Sequence, residues 1–133
     1  MFTKGKEYRR RDIHKLYGGQ EQGGISTPAS HNMVFLFRSP RGQESGYVDG
    51  WTDQGTYFYT GEGQRGDMEF KRGNAAIRDH LAAGKELHLF EQSRPGYVIY
   101  VGQMVYQGYH YQQGPDAQGY IRQMIVFELK PVG

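Results

Sequence analysis

The strongest constraint on the fold lies near the C-terminal end of the chain. From Tyr97 to Tyr111 apolar residues recur with a period of two: Val98, Tyr100, Met104 and Tyr106 on one face, Ile99, Val101 and Val105 on the other. That period is a strand's. Gly102 and Gly108 interrupt it, and glycine inside a strand marks a bulge or sharp curvature. After the turn Gly114-Pro115-Asp116, a second such segment runs from Ile121 to Lys130, with Ile121, Ile125, Phe127 and Leu129 on one side. Two long strands with internal glycines predict a curved sheet closing into a barrel. With 20 glycines, 11 tyrosines and one clear helical pattern, the expected fold is mainly β (α+β), a single domain over residues 1–133.

The remaining elements follow from local signals. Tyr8 ends a short strand, and Asp12 caps a short N-terminal helix that turns Ile13 and Leu16 inward. Residues 18–32 read as a long loop broken by Gly18-Gly19 and Gly23-Gly24. Met33–Phe37 is an unbroken apolar run, the pattern of a strand buried on both faces. Strands are expected over Tyr47–Trp51, Thr56–Thr60 and Glu86–Glu91. The main helix is placed at Asn74–Ala83, capped by Asn74 and closed by Gly84, with Ile77 and Leu81 inward.

Charge and composition narrow the function. A net charge of +2 does not announce a polyanion partner, so any basic surface is local. The densest basic run, Arg9-Arg10-Arg11, reads as a solvated face. Cysteine is absent, which excludes disulfides and thiolate metal sites. No apolar run approaches membrane-spanning length, and a cytoplasmic location is the expectation. The five histidines show no metal-ligand spacing, and no nucleophile stands beside a base. No cofactor, metal or catalytic residue is expected, and the chain reads as a binding domain.

The stretch Gly46–Gly63, GYVDGWTDQGTYFYTGEG, holds five aromatics and five glycines. Aromatic faces stack, a carboxylate accepts from an amine, and glycine allows close backbone approach. A planar, amine-bearing ring such as a nucleobase suits that set. Tyrosines pairing across a hairpin explain the same stretch in plainer terms.

Taken together, Gly46-Tyr47-Val48-Asp49, Tyr59-Thr60-Gly61-Glu62-Gly63, Gly73-Asn74-Ala75-Ala76 and the strand beginning Met124 resemble the SRA (SET and RING-associated) domain. The resemblance is to the bacterial type found in modification-dependent HNH restriction endonucleases. Gly23-Gly24-Ile25 resembles that family's early loop. Two departures stand out: Tyr47 and Asp49 are one residue closer than in eukaryotic members, and Gly63 to Gly73 leaves no room for their finger loop.

The resemblance implies a PUA-like β-barrel that binds duplex DNA and flips 5-methylcytosine or 5-hydroxymethylcytosine into a pocket. Tyr47 and Tyr59 would sandwich the base, Asp49 would accept from its amine, Thr60 would line the 5-substituent, and Trp51 would supplement a stacking face. Backbone or groove contacts fall to Gly24, Ile25, Ser26 and Thr27, to Arg65, Lys71 and Arg72, and to the helix start at Asn74. A fused or associated HNH nuclease is the implied partner. The alternative is another PUA-like module, of the ASCH or EVE type, that binds RNA or a modified nucleotide.

Overall fold

The structure is a computed structural model and describes residues 1–39 and 49–133. Its elements are β1 (Glu7–Arg9), α1 (Arg10–Tyr17), β2 (Ile25–Ser26), β3 (Met33–Arg38), β4 (Gly50–Trp51), β5 (Tyr57–Thr60), α2 (Arg72–Arg78), β6 (Glu86–Arg94), β7 (Tyr97–Pro115) and β8 (Ile121–Pro131). The strands form one sheet in the order β2-β3-β6-β7-β8-β5-β4, and β1 adds to β7. All pairings are antiparallel except β3 with β6.

The sheet curls on itself. Ile25 of β2, Val34 and Leu36 of β3, Leu87 and Leu89 of β6, Ile125, Phe127 and Leu129 of β8, and Tyr57 and Tyr59 of β5 share one buried cluster, joined by Ile77 of α2. Residues from both ends of the strand order therefore meet in one interior. Alternate residues of β3, Met33, Phe35 and Phe37, face the other way into a second cluster with Ile13 of α1, Phe90, Val98 and Tyr100. Cover on both faces is why Met33–Phe37 carries no polar residue.

The glycines of β7 do what their positions predict, with one consequence the simple alternation hides. The ladder to β6 skips from Gly102 opposite Leu89 to Tyr100 opposite Phe90, leaving Val101 as an extra residue. A bulge reverses the side to which later residues point. Val98 and Tyr100 thus enter the second cluster, while Met104 enters the interior. A further shift opposite β8 falls between Tyr106 and Gly108.

Both helices differ from expectation. In α1 the inward residues are Ile13 and His14, and Leu16 is exposed. His14 is tied by the Arg10 Nε–H at 3.0 Å and lies 2.9 Å from the Gly18 carbonyl, so its polar ring is satisfied where Leu16 was expected. In α2 the cap position is Lys71, the helix ends at Arg78, and Leu81 is exposed in the following turn. Asn74 sits inside the helix, its side chain engaged elsewhere. Ile121 also points out, beyond the end of the interior.

The glycine-rich segment from Gly61 to Gly73 is fastened to the sheet. Arg122, buried in β8, donates to the carbonyls of Gly63 and Gly66 at 3.0 and 2.9 Å. Asn74 Nδ2 donates to the carbonyls of Glu62 and Glu69, while Asn74 Oδ1 accepts from the Glu62 N–H at 2.9 Å. Segment and α2 are therefore held in one fixed relation.

Candidate nucleic-acid interface

The two ends of the sheet approach each other without a strand ladder among the described residues. A tyrosine hydroxyl joins them instead. Tyr59, on β5, donates to the Gly24 carbonyl at 2.8 Å, and its oxygen lies 3.2 Å from the Phe37 carbonyl. Phe37 N–H also donates to the Gly24 carbonyl, at 2.7 Å. Gly24 has to be small here, because a Cβ would stand 2.8 Å from the Tyr59 hydroxyl.

A cavity of about 190 Å³ opens in this seam. Gly24, Ile25, Phe37 and Arg38 wall one side, and Asp49, Tyr59, Thr60 and Glu62 the other. Asp49 is held by β5: its Oδ1 accepts from the Thr60 N–H at 2.9 Å and from the Thr60 hydroxyl at 2.6 Å. Its Oδ2 takes no hydrogen bond among the described residues. Burial pushes the Asp49 carboxyl above the usual carboxylate range, against the opposing pull of the Thr60 hydrogen bonds and the Arg38 charge. Burial, and then the charges of Asp49 and Glu62, hold the Tyr59 hydroxyl well above the tyrosine range. The cavity thus combines apolar walls with acceptors, a lining for a flat ring that carries an amine.

Of the residues expected at the pocket, the structure brings Asp49, Tyr59 and Thr60 together. Tyr47 lies outside the described residues. Trp51 stands half-exposed, edge-on to Tyr57 with ring centroids 5.2 Å apart, and is absent from the cavity walls. Trp51 pairs directly with Tyr57, two residues along β5 from Tyr59.

The expected DNA-backbone set divides. Gly24 and Ile25 line the cavity, but Ile25 and Ser26 are buried, because they form β2 against β3 rather than a free loop. Thr27 and Arg72 line a second concavity of about 560 Å³ that shares Ile25 and Glu62 with the first. Arg65 and Lys71 are exposed, Lys71 in an ion pair with Glu69 at 2.9 Å. Asn74, expected at the helix start, lies inside the helix: its N–H donates to the Lys71 carbonyl at 3.0 Å, and its side chain, 1% exposed, clamps the 61–73 segment.

Five lining residues were not among the expected site residues: Phe37, Arg38, Ser39, Gly61 and Glu62. Arg38, ion-paired with Glu91 at 3.1 Å, separates the seam cavity from a larger concavity of about 520 Å³ above α1. Its signal was position, as the first charged residue after the apolar run. Glu62 stood in plain view inside Thr60-Gly61-Glu62-Gly63. Among the described residues no group of His, Cys, Asp and Glu side chains is arranged to hold a metal ion, and no helix is long and apolar enough to cross a membrane.

Comparison with known proteins finds solved structures of the same fold. The solved structure of the sulfur-binding and SRA domains of ScoMcrA complexed with phosphorothioated DNA matches at a TM-score of 0.79 and 26% identity, over 99% of this chain and 40% of that one. The type IV phosphorothioation-dependent restriction endonuclease ScoMcrA itself matches at 0.79 and 25%, over 99% and 27%. The chain therefore spans well under half the length of either. The SRA domain of SUVH5, bound to hemimethylated CG DNA, shares the fold at a TM-score of 0.69 and 17% identity, over 99% and 89%. No curated protein matches the chain. The family model for the ScoMcrA-like SRA domain matches residues 4–133, and with the curled sheet and its seam cavity already in place, the chain belongs to that family of DNA-binding modules.

Proposed function

We propose that this chain binds duplex DNA carrying a modified cytosine and holds that base, flipped out of the helix, in the seam cavity. The observation that carries the reading is the convergence of Asp49, Tyr59 and Thr60, 11 positions apart at the extremes, around one opening with apolar walls. Tyr59 offers a ring already fixed by its hydroxyl. Asp49 offers Oδ2 to the 4-amine, since Thr60 occupies Oδ1. Thymine has a carbonyl at that position and would face the carboxylate acceptor to acceptor, so the arrangement selects cytosine. Tyr47 is the second stacking face on sequence likeness alone.

The energetics are balanced in favour of binding. Flipping costs a few kcal/mol, and each stacked aromatic returns roughly 1–3 kcal/mol. Lys71, Arg65 and Arg72 supply phosphate contacts that position the duplex without reading sequence, and Gly24 to Thr27 border the opening. The DNA partners named for ScoMcrA and SUVH5 support the assignment of modified DNA as ligand. The chain serves as the specificity module of a modification-dependent restriction endonuclease. It binds and does not cut, cleavage falling to a fused or associated HNH nuclease.

A binding panel tests this reading. Duplexes identical except for one cytosine, plain or 5-modified, are compared with single-stranded RNA by fluorescence anisotropy. The modified duplex is expected to bind at least tenfold tighter than the plain one. Preference for RNA would instead favour the ASCH- or EVE-type alternative.

A further inference from the structure

Glu62, half-buried, is the second acidic residue lining the seam cavity and also lines the neighbouring concavity, and its backbone is fixed. Asn74 holds both its backbone N–H and its carbonyl, at 2.9 and 2.8 Å. A Cβ on Gly61 would meet Asn74 Oδ1 at 2.6 Å, and one on Gly73 would meet Glu62 Oε2 and Ile25 at 2.8 Å. Bare backbone at both glycines therefore lets β5 and α2 close around Glu62.

The carboxylate itself is under-used. Oε2 accepts one long bond, 3.2 Å from the Gly73 N–H, and Oε1 takes none among the described residues. A carboxylate offers about four acceptor sites. The one guanidinium in the described wall, Arg38, pairs through Nη1 with Glu91 at 3.1 Å, while its Nε–H has no partner among the described residues. Glu62 and Asp49 both line the cavity beside Tyr59.

Resting on the base-pocket reading, we infer that Glu62 makes the cavity prefer a 5-substituent that donates a hydrogen bond, 5-hydroxymethylcytosine over 5-methylcytosine. The 4-amine and the 5-substituent are neighbours on the cytosine ring. With Asp49 taking the amine, the adjacent hydroxyl meets its own acceptor in Glu62. A methyl group offers no donor and displaces water from a half-buried carboxylate without replacing its hydrogen bond, which carries a desolvation cost.

The test is anisotropy on three duplexes that differ only in one cytosine: plain, 5-methyl and 5-hydroxymethyl. Wild-type protein is expected to bind the hydroxymethyl duplex about tenfold tighter than the methyl duplex. Glu62→Ala should bring that ratio to about one while still binding the methyl duplex more tightly than the plain one, which also shows that the variant is folded. Glu62→Gln, which keeps one acceptor, should fall between. A wild-type ratio near one, or a tenfold ratio that survives Glu62→Ala, overturns the role of Glu62 and leaves the pocket reading standing. Equal binding of all three duplexes by the wild-type protein overturns both.

Discussion

Beneath α1, the ring of Phe2 meets six other aromatic rings, those of Tyr8, Tyr17, Phe35, His88, Phe90 and Tyr100, at centroid distances of 5.0 to 5.9 Å. At the seam, Tyr59 is more deeply buried than Phe2, yet part of its surroundings is an open cavity with two acidic residues in its lining. The polar groups differ in the same sense. His88 lies 2.7 Å from the Tyr100 hydroxyl and 3.0 Å from Glu86, whereas Asp49 and Glu62 each keep an oxygen without a partner among the described residues. Aromatic residues near polar ones build both regions. What separates a core from a site here is unfilled space next to unused acceptors.

The contrast breaks most sharply at its two aromatic centres. Tyr59→Ala should weaken modified-duplex binding roughly tenfold to a hundredfold through lost stacking, and plain-duplex binding far less. Because Tyr59 is buried, the same change should also lower stability by about 3–5 kcal/mol, read by urea denaturation. Phe2→Ala should lower stability on a similar scale and leave the modified-to-plain ratio unchanged. A shifted ratio in Phe2→Ala would dissolve the distinction between the two regions.

Asp49 sharpens it through pH. Its carboxyl is held above the usual range by burial, so it holds its proton more tightly in the folded chain than in the unfolded one. Its contribution to stability is therefore present at low pH and lost as pH rises through the raised value. Binding has the opposite sign, since an amine donor needs the carboxylate, and affinity should fall as pH drops through that value. Asp49→Asn should cost roughly tenfold in affinity for the modified duplex and flatten this pH dependence. A pH profile identical in the two proteins would assign the titration elsewhere.

The smallest expected effects lie outside the cavity. Lys71→Ala and Arg72→Ala should weaken modified and plain duplexes alike and reduce the slope of affinity against salt by about one counterion each. A change in the modified-to-plain ratio with an unchanged salt slope would move the residue into the pocket.

The strands were legible because their signals are local. Alternation marked β7 and β8, Gly102 and Gly108 marked two of the three register shifts, and an unbroken apolar run marked β3. The helix faces were less so, since Leu16 and Leu81 follow the 3.6-residue period yet point outward, while His14 and Asn74 go inward to satisfy backbone groups. At the site, the resemblance carried by the two tyrosine motifs pointed to Asp49, Tyr59 and Thr60, and these three line one cavity. Arg38, Phe37 and Gly24 reach the cavity from the far end of the strand order, a neighbourhood created only when the sheet curls. Ser26 was misplaced for the related reason that a two-residue strand inside a long loop carries almost no periodicity.

The central claim is that a cytosine leaves the duplex for the seam cavity, and the neighbouring stack reports it directly. With 2-aminopurine placed beside the modified cytosine, fluorescence should rise on binding wild-type protein, and the rise should be largely lost with Tyr59→Ala at saturating concentration. Unchanged fluorescence on binding of the wild-type protein, together with an unchanged modified-to-plain ratio in Tyr59→Ala, would contradict the account.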